Sequence, residues 1–309
     1  MSNKDIGRLL TAMVTPFKDD GSVDYDAAGT LAQMLVQDGS DGVVVSGTTG
    51  ESPSLTDAEK IELVKTVKDA IPGKVVVAGT GSNDTHHSVE LSKLAMKAGA
   101  DALLAVVPYY NKPPQEGMYQ HFKAISEVGP TIMYNIQGRT AINMTAATTL
   151  RCAELPGIIG VKEASGDLDQ VGFVCAGKPE DFKVWSGDDS WTLPILAVGG
   201  YGVICVVSHI AGRSMQKLID AYRKGDNEVA QDIHHGLLPV IKALMTTAAN
   251  PVPIKSILNE MGFNAGPFRL PLVPLTDEQQ RSVMKTVRDA GEFITFNSPG
   301  VPAGSRRSL

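Results

Sequence analysis

Residues 75–100 read VVVAGTGSNDTHHSVELSKLAMKAGA. The stretch opens on β-branched valines, which favour strands. It ends in a helical stripe of Val89, Leu91, Leu94, Ala95 and Ala98, with Gly99 placed as a C-cap glycine. A strand that runs directly into an amphipathic helix is one β/α unit. The same alternation extends along the chain in both directions. Strand-like runs lie at 9–17, 42–47, 102–108, 131–136, 158–164, 183–187 and 202–208, which with 75–81 makes eight. Most are spaced by roughly 25 to 30 residues, the size of one such unit. Between them DAEKIELVKTVKDA (57–70) carries Ile61, Leu63, Val64 and Val67 near helical spacing, and Thr56 and Thr145 stand where N-caps are wanted.

Alternating strands and helices imply a parallel sheet with helical crossovers. Near-continuous apolar strands imply burial on both faces. Eight units predict closure into a (β/α)8 barrel, the TIM-barrel architecture, over residues 1–225. An open doubly wound sheet is the alternative, but no GxGxxG follows the first strand and no dinucleotide site is supported. Beyond residue 225 the pattern is helical only, at 227–247, 252–261 and 276–292, so 226–295 reads as a C-terminal helical extension. Residues 296–309 are rich in Pro, Gly and Ser and read as a disordered tail, set aside from the fold.

The chain has 309 residues, 43% hydrophobic and 20% charged, with net charge −6 and pI near 5.5. That is ordinary globular composition with no general affinity for nucleic acid. MSNKDIGRLL lacks the apolar core of a signal peptide, and no run approaches the ~20 residues that span a bilayer. Cys152, Cys175 and Cys205 are odd in number and lack metal spacing. A reduced, cytoplasmic protein is expected, without membrane or nucleic-acid partners. The six histidines show no ligand pattern, surface or helix-face positions account for them, and no metal is expected.

In a barrel of this kind the chemistry sits at the C-terminal ends of the strands. Those ends deliver Thr48 and Thr49 in SGTTGES, Tyr109 and Tyr110 in PYYN, Tyr134 with Arg139 shortly after, and Asp188 and Asp189 in SGDD. Each has a plain structural reading. Tyrosines pack with a wet hydroxyl, and the paired aspartates suit a turn after a strand. The two threonines in a glycine-flanked loop fit a small carboxylate better.

Lys162, within GIIGVKEASG (157–166), is the sharpest signal. A lysine can snorkel or pair, but the adjacent Glu163 points to the opposite face of the strand. Burial disfavours the ammonium. At an unperturbed pKa of ~10.4 only about 0.04% of the amine is free at pH 7, and a fall of roughly three would free tens of per cent. A free amine in a dry site attacks carbonyls to form a Schiff base.

GTTGES, GTGSNDT, PYYNKPPQEGMYQHF, YNIQGRT, GVKEASGD, SGDD, GVICV and NPVPIK, in order between about residues 8 and 292, together resemble the dihydrodipicolinate synthase family. That family belongs to the pyruvate-dependent class I aldolases and the N-acetylneuraminate lyase superfamily. The resemblance implies a lyase of lysine and diaminopimelate biosynthesis. It would condense pyruvate with L-aspartate 4-semialdehyde, with no cofactor beyond a covalent pyruvate on Lys162. It implies Tyr134 as proton donor and acceptor, with Thr48 and Tyr110 completing a hydroxyl relay. Tyr110 would be lent by a neighbouring subunit of a homo-oligomer, a tetramer built from dimers or a dimer alone. Thr49 would hold the pyruvate carboxylate, Gly187 and Ile204 would offer backbone groups beside it, and Arg139 would bind the carboxylate of the second substrate.

Two departures from the pattern stand out. Gln137 occupies the position of a usual proline, which is expected to loosen the loop bearing Arg139. Lysine-inhibited relatives bind the effector with residues matching Ser52, Pro53, Asp57, Lys60, Asn83, His87 and Tyr109. Here His87 replaces a glutamate and Lys60 a histidine, so weak or absent feedback inhibition is expected. The rival readings are a sister aldolase or dehydratase acting on a sugar-derived keto acid, and a catalytically dead paralogue. Arg139 and PYYN argue against the first. The intact set Lys162, Tyr134, Thr48 and Tyr110 argues against the second.

Overall fold

The computed structural model describes residues 5–296. Eight strands, β1 (Leu9–Ala12), β2 (Gly42–Val45), β3 (Val75–Gly79), β4 (Ala102–Val106), β5 (Thr131–Asn135), β6 (Ile158–Glu163), β7 (Lys183–Ser186) and β8 (Gly202–Cys205), close in sequence order into a parallel barrel. Every predicted run contains one. The strands stop earlier than the apolar runs, because their last residues peel away as rim loops. After β1, for instance, Pro16 has no amide to offer a ladder, and Phe17 turns to bridge Val23.

Helices α1 (Tyr25–Gln37), α2 (Asp57–Ala70), α3 (Thr85–Lys97), α4 (Gln115–Ser126), α5 (Gln137–Thr140), α6 (Ala146–Ala153), α7 (Leu168–Gly177), α8 (Thr192–Ala197) and α9 (Ser208–Lys224) fill the connections. Thr56 caps α2 in a capping box with Glu59, and Thr145 caps α6. Gly99 follows the C-cap of α3 at φ +103°, a conformation that suits glycine.

Strand parity sorts the side chains into two layers. Leu10, Val44, Val77, Leu104, Ile132, Trp185 and Ile204 fill the barrel interior. Val43, Val45, Leu103, Met133, Val161 and Val184 face outward into the core beneath the helices. Lys162 pairs with Tyr134 on one side and Trp185 on the other, so the three share an inward row.

α10 (Asn227–Thr246), α11 (Val252–Glu260) and α12 (Asp277–Asp289) follow the last β/α unit. They are tied into the barrel. The Phe296 amide donates to the Ile210 carbonyl and its ring is buried, so the fold reaches one residue into the segment expected to be a tail. Residues 297–309 of that segment lie outside the described residues. Two histidines, His121 and His209, are buried rather than superficial. His209 accepts from the Val14 amide and contacts the Val206 carbonyl, and burial lowers its pKa to about 4. No helix among the described residues is long and apolar enough to cross a membrane.

Gly160, two residues before Lys162, leaves room for the Trp185 ring. A Cβ there would stand 2.2 Å from the Lys183 carbonyl oxygen and 2.6 Å from the indole. Gly160→Ala is therefore expected to destabilise the barrel by about 1–3 kcal/mol, read as a lower urea midpoint at an unchanged slope.

Candidate active site

Lys162 is 6% exposed and makes no hydrogen bond or ion pair with any described residue. Its Nζ lies 4.3 Å from the centre of the Tyr134 ring. Burial lowers its pKa to about 8; the Asp189 carboxylate opposes that fall and the Arg139 guanidinium adds to it. At that value about a tenth of the amine is uncharged at pH 7. Burial also raises the Tyr134 phenol, which stays protonated and hydrogen-bonds with the Thr48 hydroxyl.

These groups line a cavity of about 60 Å³ at the rim, together with Thr49, Arg139, Gly187, Asp189, Val206 and Asn250. A volume of that order accepts roughly four to six water-sized groups, the scale of a three-carbon keto acid. The cavity adjoins a wider cleft of about 640 Å³ that shares Gly47, Thr48, Leu104, Tyr134, Ile136 and Arg139 with it. Arg139 is exposed at this mouth and has no acceptor among the described residues. The wall polarity is asymmetric: hydroxyls and the amine lie deep, and a guanidinium guards the entry.

Of the residues singled out in the sequence, six converge: Lys162, Tyr134, Thr48, Thr49, Arg139 and Gly187. Two do not. Tyr110 is 88% exposed on the loop after β4, with φ at +71°, and lines neither cavity. Ile204 is fully buried in the barrel interior, and Val206, two residues on, lines the cavity instead.

Sequence reasoning missed three features. Asp189, assigned to a turn, is 2% exposed and accepts from the Val206 and Val207 amides; burial lifts its carboxyl to about 6. Asp188 alone plays the turn role, accepting from the Ser190 amide and hydroxyl. Asn250, from the C-terminal extension, donates to the Thr49 hydroxyl at 2.9 Å. The third is a second buried lysine. Lys255 is fully enclosed, and burial lowers its pKa to about 8 against the pull of Glu51. Its ammonium donates to Glu51 Oε1 and to the Thr15 carbonyl, both at 2.9 Å, and it lines neither cavity. Its lone pair is not on offer. Of the two lysines buried among the described residues, Lys162 lines the cavity and Lys255 does not.

Known proteins resemble this chain in sequence and in fold. The model of the dihydrodipicolinate synthetase family matches residues 5–290. The 4-hydroxy-tetrahydrodipicolinate synthase of Moorella thermoacetica is 54% identical over 288 residues, covering 92% of this chain and 98% of that one. The dihydrodipicolinate synthase of Cyanidioschyzon merolae, solved with lysine bound, superposes with a TM-score of 0.90 at 44% identity, covering 93% of this chain and 98% of the other. A structure described as the first monomeric dihydrodipicolinate synthase variant superposes at 0.89 with 39% identity, over 92% of this chain and 96% of that one.

The Lys162 amine attacks a carbonyl only when uncharged. Below about pH 8 each unit of acidity removes nearly tenfold of the reactive form. Borohydride trapping of a three-carbon 2-keto acid on Lys162, followed by mass spectrometry, is expected to quicken about tenfold between pH 6 and 7 and to level off above about pH 9. A rate indifferent to pH over that range contradicts the assigned state of the amine.

Proposed function

We infer the function from one premise: this chain belongs to the dihydrodipicolinate synthetase family. It is a lyase that condenses pyruvate with L-aspartate 4-semialdehyde to give 4-hydroxy-tetrahydrodipicolinate, a step towards diaminopimelate and lysine. The observation that carries this reading is the unpaired amine of Lys162, enclosed beside Tyr134 and open only to a small cavity.

The reaction follows from what each group can do. Uncharged Lys162 attacks the ketone carbon of pyruvate, and loss of water leaves an iminium. That cation is an electron sink, so a methyl proton departs and an enamine forms. The enamine carbon attacks the aldehyde of the second substrate. Its amine then adds to the iminium carbon, closes the ring and expels Lys162 unchanged. Protons must leave and return at each stage. That exchange is assigned to Tyr134, which burial keeps protonated and which bonds to Thr48. Tyr110, exposed on its own chain, is the third hydroxyl of this relay if a neighbouring copy inserts it, so the reading includes a homo-oligomer, dimer or tetramer.

Thr49, oriented by Asn250, offers its hydroxyl to the pyruvate carboxylate beside Gly187. Asp189 supplies a fixed negative charge near the cation that forms on Lys162. The Arg139 fork matches the second carboxylate at the mouth. The chemistry is complete with the side chains and the covalent intermediate.

Aspartate semialdehyde is expected to be turned over with pyruvate, while sugar-derived aldehydes are not. Arg139→Leu should raise the KM for the semialdehyde about 10- to 100-fold, the loss of charge-assisted hydrogen bonds, with little change in pyruvate trapping. Ready turnover of a sugar aldehyde instead assigns the chain to the sister aldolases.

The wider cleft carries Ser52, Pro53, Lys60, Asn83, His87 and Tyr109 on its wall. Asp57 is already engaged by His87 at 2.7 Å and lies 3.8 Å from Lys60. An effector's ammonium would meet cationic and paired groups there. Addition of 1 mM lysine is expected to leave most of the steady-state rate, and strong inhibition below about that level contradicts this assignment of charges.

A further inference from the structure

Ten residues, Asn135 to Met144, form a loop that leaves β5 and carries Arg139 at its tip. Its base is closed by side chains: Gln115 Nε2 donates to the Asn143 carbonyl at 2.9 Å, and Asn135 makes the largest set of bonds. Asn135 is fully buried on the outward face of β5. Its Oδ1 accepts from the Met144 amide at 3.1 Å, and its Nδ2 donates to the Met144 carbonyl at 3.2 Å and to Asn143 Oδ1 at 2.8 Å. The same Nδ2 reaches both carboxylate oxygens of Glu163, at 3.2 and 3.3 Å. Asn135 and Glu163 are register partners, one step beyond the Tyr134–Lys162 pair. Gln170 of α7 completes the set: its Oε1 accepts from Asn143 Nδ2 at 2.7 Å, and its Nε2 donates to the Met144 carbonyl at 3.3 Å.

The tip has less to hold it. Gly138 and Arg139 are exposed, Ala141 is left-handed at φ +62°, and the turn is closed by the Arg139 and Thr140 amides on the Ile136 carbonyl. Nothing on the cavity side fixes the guanidinium, because no described residue accepts from it. The backbone that carries Arg139 is held by the Thr140 hydroxyl, which bonds the Ile136 and Ile142 carbonyls at 3.1 and 2.8 Å, and by the anchored base behind the barrel wall.

We propose that Asn135 is a positioning residue for Arg139: by bonding both ends of the 135–144 loop to each other and to Glu163, it fixes where the guanidinium meets the second substrate's carboxylate. The proposal rests on the functional reading above for the identity of that carboxylate. It does not rest on it for the closure of the loop. Gln137 has a part in the same account. It is the first residue of α5, where an amide has no intrahelical acceptor, so a proline there costs no hydrogen bond and restricts the tip.

Three variants test this: Asn135→Ala, Gln170→Leu and the double Asn135→Ala/Gln137→Pro. Asn135→Ala is expected to raise the KM for aspartate semialdehyde about tenfold while trapped pyruvate on Lys162 forms within about twofold of the parent rate, because only the mouth is displaced. The added proline should recover part of that loss. Equal rises for both substrates, or none for the semialdehyde, overturn the proposal. If Asn135→Ala does not fold, Gln170→Leu is expected to move the semialdehyde KM alone in the same direction, and no change there also overturns it. Trypsin supplies a readout independent of activity: cleavage after Arg139 should quicken about tenfold in Asn135→Ala, with other sites unaffected, since opening of the base becomes cheaper. An unchanged rate overturns the staple. Failure of the parent chain to trap pyruvate overturns the functional reading instead, and leaves the protease result to judge the loop.

Discussion

An amine must be made to release its proton far more readily than a free lysine does, inside a barrel that gives it no hydrogen-bond partner among the described residues. The rest of the molecule is arranged around that constraint. Lowering the Lys162 pKa from 10.5 to about 8 costs on the order of 3 kcal/mol of stability at neutral pH. In the unfolded chain the amine holds its proton up to its ordinary value, and in the fold only up to about 8. The penalty is thus full below about pH 8 and fades as pH rises towards 10.5. The apolar layers on both faces of the barrel wall offset it many times over. A closed barrel without sheet edges makes the register of the row Tyr134–Lys162–Trp185 hard to slip.

Much of this was legible in the residues. Eight apolar runs, helices between them and threonine caps at 56 and 145 are local signals, and these are realised, although Leu94 of the predicted α3 stripe is half exposed while Ser88 and Ser92 are buried. Lys162 stood out because a charge in a β-branched run contradicts its neighbours. Parity alone assigned Glu163 to the other face, and it bonds there to Asn135, Ser165 and Gln170. What the residues could not reveal is contact across long separations. Nothing near Asp189 announces that its carboxylate will turn from the SGDD turn to cap the Val206 and Val207 amides. Nothing near Lys255 announces Glu51, 204 positions away. Lys255 sits in a helix whose other buried residues are apolar or small, and from spacing alone it would pass for a snorkelling lysine.

The C-terminal extension is where that illegibility has chemical weight. Read by periodicity it is a helical appendage. In space it holds the loop between β2 and α2. Lys255 grips Glu51, Asn250 reaches Thr49, and the Arg269 amide donates to Glu51 Oε2. Glu51 itself is held at φ +56°, in the left-handed region that a glutamate enters only when its surroundings compel it. The loop that presents Thr48 and Thr49 is thus set by groups more than 190 residues downstream.

The two buried lysines show how burial is turned to different ends. Desolvation acts on both in the same direction. Lys255 meets a carboxylate and a carbonyl at hydrogen-bond distance, so its ammonium becomes a fastener, and such a pair is costly to break from one side. Lys162 meets a tyrosine ring and open space, so its lone pair is left for a substrate. The same division runs across the wall of the barrel. Inward on β6 Lys162 makes no hydrogen bond to a described residue, while the outward neighbours Asn135 and Glu163 are saturated with hydrogen bonds. Alternation along a strand lets one segment serve both needs: the face that must react is left under-bonded because the opposite face is over-determined.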